Sequence, residues 1–186
     1  MEKVTFYAIE GLDGVGKTTL IKNLSKKGFF TYKTPSDEYS CLRSKLHNLN
    51  KSSFFFYLSS LAYLFENDIK HTNEFFVDRY LFSTVGNYSF RNKLSMKEVD
   101  RLFDEFYQFL PQPTLTIFLV LDYEERIKRI KLRNLKEKNF DNLNMDYNNY
   151  ILDMIEHYKF PKIIINAKKN EDEILDEVVK IIDERV

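Results

Sequence analysis

Near the start of the chain, Gly11-Leu12-Asp13-Gly14-Val15-Gly16-Lys17-Thr18 matches G-x-x-x-x-G-K-[ST], the P-loop pattern. A loop wrapped around a triphosphate must turn successive backbone N–H groups inward, through conformations and close approaches that a Cβ obstructs. The chain has only five glycines, and three of them, Gly11, Gly14 and Gly16, fall inside this loop. Lys17 can reach the β- and γ-phosphates, the Thr18 hydroxyl can ligate Mg²⁺, and the helix that follows sets its positive end on the anion. Gly11, Gly14, Val15, Gly16, Lys17, Thr18 and Thr19 are therefore the candidate triphosphate-binding residues.

Two further groups suit phosphoryl chemistry. Asp78 and Arg79 stand where the apolar run Phe75-Phe76-Val77 ends. A carboxylate there can hold Mg²⁺ through water, and a guanidinium can grip a phosphate with a two-pronged, charge-assisted bond. Between positions 126 and 138 lie seven cations, Arg126, Lys128, Arg129, Lys131, Arg133, Lys136 and Lys138, against Glu137 alone. Most such runs are solvated helix faces. Phosphoryl transfer, however, needs cations by the transferring group and a cover that excludes water. A lid over about 126–145, with Arg129 and Arg133 as its catalytic cations, meets both needs.

The elements that must position these groups follow from periodicity. Strands are expected at Val4–Ile9, Phe29–Lys33, Phe75–Val77, Thr114–Leu121 and Ile163–Asn166. Helices are expected at Lys17–Lys27, Glu38–Asn48, from a Ser52 or Ser53 cap to about Lys70, from the Ser95/Glu98 capping box to Phe109, at Asp122–Leu135, Tyr147–His157 and Glu171–Glu184. Strands alternating with helices argue for an α/β domain with a buried parallel sheet. The helix Phe54–Phe65 is apolar almost all round, so it is buried on more than one side. Core and subunit interface account for most of it, and Tyr57 is a candidate wall for a nucleobase. The polar stretch Asn134–Asn144 reads as a flexible segment.

Composition narrows the classes. At 186 residues the chain suits one domain spanning 1–186. Twenty-eight Lys and Arg balance twenty-eight Asp and Glu, so no global charge marks a nucleic-acid or membrane partner. The single Cys41 excludes an internal disulfide and multi-cysteine zinc sites, and His47, His71 and His157 lack metal-ligand spacing. There is neither a signal-peptide pattern nor a membrane-length apolar run. A cytoplasmic setting is the expectation.

The chain resembles the thymidylate kinases, nucleoside-monophosphate kinases of the P-loop class. The resemblance runs through Ile9-Glu10-Gly11-Leu12-Asp13-Gly14 to Thr19, then Pro35, then Asp78-Arg79-Tyr80 with Ser83, then Ile165-Asn166-Ala167. It implies a P-loop kinase fold with a five-stranded parallel sheet flanked by helices and a small lid. It also implies Mg-ATP as donor, nucleotide substrates, and a homodimer packed through helices such as 53–70. By the same resemblance Asp13 approaches the acceptor sugar and phosphate, Arg79 holds the acceptor phosphate, and Ala167 lies by the donor adenine. Gly14 matches the subgroup whose catalytic cations come from the lid.

Departures concern the acceptor base. Lys33-Thr34-Pro35 stands where the family has Arg-Glu-Pro, Ala62 aligns with a thymine-contacting arginine, and Gly86-Asn87-Tyr88 replaces Ala-Tyr-Gln. Asp13, Lys33, Tyr57, Arg79, Asn87 and Tyr88 are the candidate acceptor residues. Transfer to a nucleoside monophosphate, foremost dTMP, is the leading expectation. A kinase of a nucleoside or metabolite hydroxyl is the alternative, with Glu10, Asp13 or Asp78 as base. A nucleotide-controlled binding protein is the third.

Overall fold

Short runs rich in Phe, Ile, Leu, Val and Tyr become strands because their side chains pack on both faces of a sheet. The computed structural model describes residues 5–69, 74–134 and 143–184. Among these, β1 (Thr5–Glu10), β2 (Thr31–Lys33), β3 (Glu74–Asp78), β4 (Leu115–Val120) and β5 (Lys162–Asn166) form one sheet in the order β2-β3-β1-β4-β5. Each neighbouring pair is parallel. Phe6, Ala8, Phe75, Val77, Ile117 and Leu119 are buried within it. The register sets Ile9 beside Asp78 and Glu10 beside Phe118. The residues after β1 and β3 therefore emerge together at the carboxyl edge, where ligands bind in open α/β sheets.

The helices are α1 (Lys17–Lys26), α2 (Asp37–Leu46), α3 (Lys51–Tyr63), α4 (Leu81–Arg91), α5 (Met96–Phe106), α6 (Tyr123–Asn134), α7 (Met145–His157) and α8 (Glu171–Asp183). α1 packs with α8, while α4 packs against α3, α5 and α7. The Ser95/Glu98 capping box starts α5 as expected. α3 begins after Asn50 instead of a serine cap, and the Asn50 amide is engaged with Asn92 at 2.9 and 3.1 Å. Beyond Tyr63 the helix continues as one π-helical turn, Leu64–Asp68. Lys70 and most of the expected flexible segment lie outside the described residues.

α4 is an element the sequence reading omits. Thr84 and Val85 are β-branched, Gly86 is a weak helix former, and no side chain at its own start caps it. The cap comes from 70 residues away: Glu10 Oε1 accepts from the backbone N–H of Tyr80 at 2.8 Å and of Ser83 at 3.1 Å, and Oε2 accepts from the Ser83 hydroxyl. Gly86 has a packing reason as well, since a Cβ there would stand 2.7 Å from Ile151 Cδ1 on α7. Glu10 is fully buried, and burial pushes its carboxyl up despite these bonds. Removing it strands the buried Tyr80 N–H and the half-buried Ser83 N–H. Glu10→Ala is therefore expected to cost about 3 kcal/mol and to lower Tm by about 6–12 °C in a thermal melt.

Among the described residues no helix is long and apolar enough to cross a membrane.

Candidate functional site

Two cavities meet at the carboxyl edge of the sheet. The larger, about 1060 Å³, opens over the P-loop, and the smaller, about 360 Å³, lies between α2, α3, α4 and α7. Asp13, Thr34, Arg43 and Arg79 line both.

The P-loop bounds the larger cleft. Gly11, Gly14 and Gly16 all take positive φ, and Gly14, Val15, Gly16, Lys17, Thr18 and Thr19 face the cleft. Lys17 is buried, and its Nζ donates to the carbonyl oxygens of Gly11 at 2.8 Å and Leu12 at 2.6 Å. Burial first, and the Arg79 cation second, pull its pKa down to about 8. An arriving anion reverses both effects by supplying a counter-charge.

At the end of β3, Asp78 is buried and faces the same cleft. Its Oδ1 has no hydrogen-bond partner, an expensive state for a carboxylate unless a cation arrives. Among the described residues no three His, Cys, Asp or Glu side chains converge on a metal site. A Mg²⁺ ion here would thus take Asp78, the exposed Thr18 hydroxyl, phosphate oxygens and water, the partial protein coordination that this hard cation favours.

Helix α6 closes over the loop. A Cβ on Gly14 would stand 2.7 Å from Ile130 Cγ1 and 3.1 Å from the Arg126 carbonyl oxygen, so glycine is what lets the helix approach. Arg126 is fully buried, and its Nη1 donates to the Asp13 carbonyl at 3.1 Å. One turn on, Arg129 faces the cleft, donates to the Ala167 carbonyl at 3.0 Å and pairs with Glu125 at 3.7 Å. Arg133 also faces the cleft, whereas Lys136 and Lys138 lie outside the described residues. Ala167 itself is buried beneath Arg129, and Lys168, Lys169 and Asn170 form the rim next to it.

Arg79 joins the two cavities. It takes a φ of +67°, an uncommon conformation that here aims its side chain across the P-loop. Its guanidinium pairs with Asp13 and donates to the Ser83 hydroxyl at 3.1 Å. Burial opposes the charge, but Asp13, Asp78 and Glu10 together hold it above the usual arginine range. Thr34 orients the turn, its hydroxyl donating to the Arg79 carbonyl at 2.7 Å.

The smaller cavity has an aromatic wall in which Phe54 and Tyr88 stack at 4.2 Å. Tyr57 lines it and shares a 3.2 Å hydrogen bond with His47, whose pKa is lowered by burial and then by Arg43 and Arg91. Asn87 also lines it. Tyr147 enters from α7, and burial and then the Asp13 charge push its hydroxyl up to about 12.

The structure thus brings Asp13, Tyr57, Arg79, Asn87 and Tyr88 to one cavity, while Lys33 is exposed and borders the larger cleft. Ala62 does not line either cavity. Arg43, Arg91 and Tyr147 are additions that sequence reading misses. For Arg91 the signal is the helical spacing Ser83, Thr84, Asn87, Tyr88, Arg91, visible only once α4 is recognised. For Arg43 the sequence offers only a cation within the expected helix Glu38–Asn48.

The chain is similar to known nucleoside and nucleotide kinases. A model of the deoxynucleoside kinase family matches residues 7–186. The probable thymidylate kinase of Picrophilus torridus is 31% identical over 94% of each chain, and that of Methanocaldococcus jannaschii is 31% identical over 94% of this chain and 93% of its own. Among solved structures, the Candida albicans thymidylate kinase aligns with a TM-score of 0.74 at 18% identity, covering 98% of this chain and 92% of its own. The deoxyadenosine kinase of M. mycoides aligns with a TM-score of 0.67 at 20% identity, covering 98% and 100%.

Proposed function

The chain belongs to the deoxynucleoside kinase family, and from the charge of its smaller cavity and its thymidylate kinase relatives we propose that it moves the γ-phosphoryl group of Mg-ATP to a nucleoside monophosphate, with dTMP the foremost acceptor. One observation carries the reading. The smaller cavity holds three arginines, Arg43, Arg79 and Arg91, against a single carboxylate, Asp13, which is already paired with Arg79. A hydroxyl acceptor needs a carboxylate base within hydrogen-bond reach. Here Asp13 is made a weaker base by its pairing with Arg79, Glu10 is buried behind Tyr80 and Ser83, and Asp78 faces the P-loop cleft without lining this cavity. An acceptor phosphate is already largely deprotonated near neutral pH, so it needs cations and no base. The thymidylate kinases among the relatives support dTMP in particular.

On this reading Lys17 and the P-loop backbone hold the donor phosphates. Thr18 and Asp78 would hold Mg²⁺, which would supply neutralisation of the charge that develops during transfer. Arg79, with Ser83 against it, holds the acceptor phosphate, and Arg43 stands between the two phosphates. Arg129 and Arg133 bring positive charge from α6, which acts as the lid and keeps water out. Ala167 shapes the floor beside the donor base. A homodimer formed through α3, whose Phe55 is 64% exposed, and a cytoplasmic setting belong to the same reading.

Chromatography of products from ATP offered with each deoxynucleoside monophosphate and each deoxynucleoside tests it. ADP with dTDP from dTMP supports the proposal. A monophosphate formed from a nucleoside would instead assign Asp13 the role of base.

A further inference from the structure

Ser83, Thr84, Asn87, Tyr88 and Arg91 all face the smaller cavity from one side of α4. From Ser83 to Arg91 is eight residues, a rise of about 12 Å along the helix, comparable to a mononucleotide from its phosphate to the far edge of its base. Arg79 and Ser83 mark the phosphate end. At the other end stands Arg91. Its Nη1 donates to the Leu49 carbonyl at 3.1 Å and its Nη2 to the His47 carbonyl at 3.2 Å. Two backbone acceptors therefore fix the plane of the guanidinium, while further N–H groups of its five remain. Its charge reaches into the cavity, where it acts on both His47 and Tyr147.

We propose that Arg91 reads the far edge of the acceptor base, selecting bases with a carbonyl there (thymine, uracil) over those with an amino group (cytosine, adenine). This rests on the reading of the cavity as an acceptor site. Arginine has donors and no acceptor, so an amino group opposite it sets N–H against N–H and leaves both unpaired. Arg43, Arg79 and Asp13 also border the P-loop cleft and belong to the phosphate end, whereas the polar groups next to Arg91 are of either sense: the Asn48 amide can turn, and the Tyr57–His47 pair can donate or accept according to tautomer. The donor-only group therefore decides the sign of selectivity. Arg91 also clamps the connection between α2 and α3, so the test must separate selectivity from support.

Titration calorimetry on wild type, Arg91→Met, Arg91→Lys and Asn92→Ala, with dTMP, dCMP, thymidine and deoxycytidine, makes that separation. Asn92 ties the same connection through Asn50 but does not line the cavity. Wild type is expected to bind dTMP and thymidine roughly tenfold or more tighter than their cytosine counterparts. Arg91→Met should bring each ratio to within about threefold, chiefly by weakening the thymine ligands, with Arg91→Lys between the two. Asn92→Ala should keep the wild-type ratio. A wild-type ratio near one, a ratio that survives in Arg91→Met, a ratio lost equally in Asn92→Ala, or no binding of either base overturns the proposal. Selective binding without any phosphorylation of dTMP counts against the proposed reaction and leaves this assignment standing.

Discussion

Replacing Lys17 with alanine is expected to lower kcat/KM for ATP-dependent phosphoryl transfer by about 10³-fold, roughly 4 kcal/mol of transition-state stabilisation. The ammonium already sits in the loop, held by the carbonyl groups of Gly11 and Leu12, and is desolvated before the donor arrives. Little reorganisation is then needed at the moment of transfer, the condition under which one charge is worth most. The pH profile carries the same signature. With the Lys17 pKa near 8 in the free protein, the protonated fraction falls as pH rises through that value. Wild-type kcat/KM for ATP should decline on the alkaline side, approaching tenfold per pH unit above about 8. The burial cost has the opposite sign for stability: charged Lys17 destabilises the free fold below pH 8, and this cost is relieved as pH rises. Steady-state kinetics and thermal melts across pH 6.5–9.5 should therefore move in opposite directions.

Arg79→Ala should lower kcat/KM for the acceptor by about 10²–10³-fold while changing the affinity for ATP by much less. The loss has two parts. One is the guanidinium that receives the acceptor phosphate. The other is Asp13, left without its ion-pair partner in a cavity that must take up an anion. An Arg79→Ala, Asp13→Asn double variant should recover part of the loss, because the second change removes the exposed repulsion. The double-mutant cycle thus gives a coupling whose sign is fixed in advance. Losses that simply multiply would mean that the pair does not act as a unit. A loss confined to ATP affinity would move Arg79 out of the acceptor role.

The donor half of the site was readable in sequence because its constraints are local. Lys17 and Thr18 follow three glycines at fixed spacing, and Asp78-Arg79 ends an apolar strand that the β1 register then sets beside the P-loop. Parallel pairing carries such local marks to a predictable edge of the sheet. The acceptor half was less legible because it is assembled at long range. α4 is capped by Glu10, 70 residues upstream, and Gly86 serves a helix contact with Ile151, so neither its start nor its middle carries the usual local signals. With α4 unseen, the helical spacing that aims Arg91 into the cavity could not be used. Arg43 is one charge among several in α2, where nothing local marks which face meets two cavities. The basic run reads as a lid, yet its first member, Arg126, is a buried strut beneath the P-loop. Only tertiary packing distinguishes that strut from the cleft-facing Arg129 and Arg133.

In the proposed reaction, the two cavities that share Arg79, Arg43 and Asp13 receive an acceptor that is itself anionic. A competition experiment tests this most directly, with γ-labelled ATP and Mg²⁺ offered to the protein together with equal dTMP and thymidine. The account predicts label in the terminal phosphate of dTDP with stoichiometric ADP, and no labelled dTMP at early times. Label appearing first in dTMP, formed from thymidine, would contradict it.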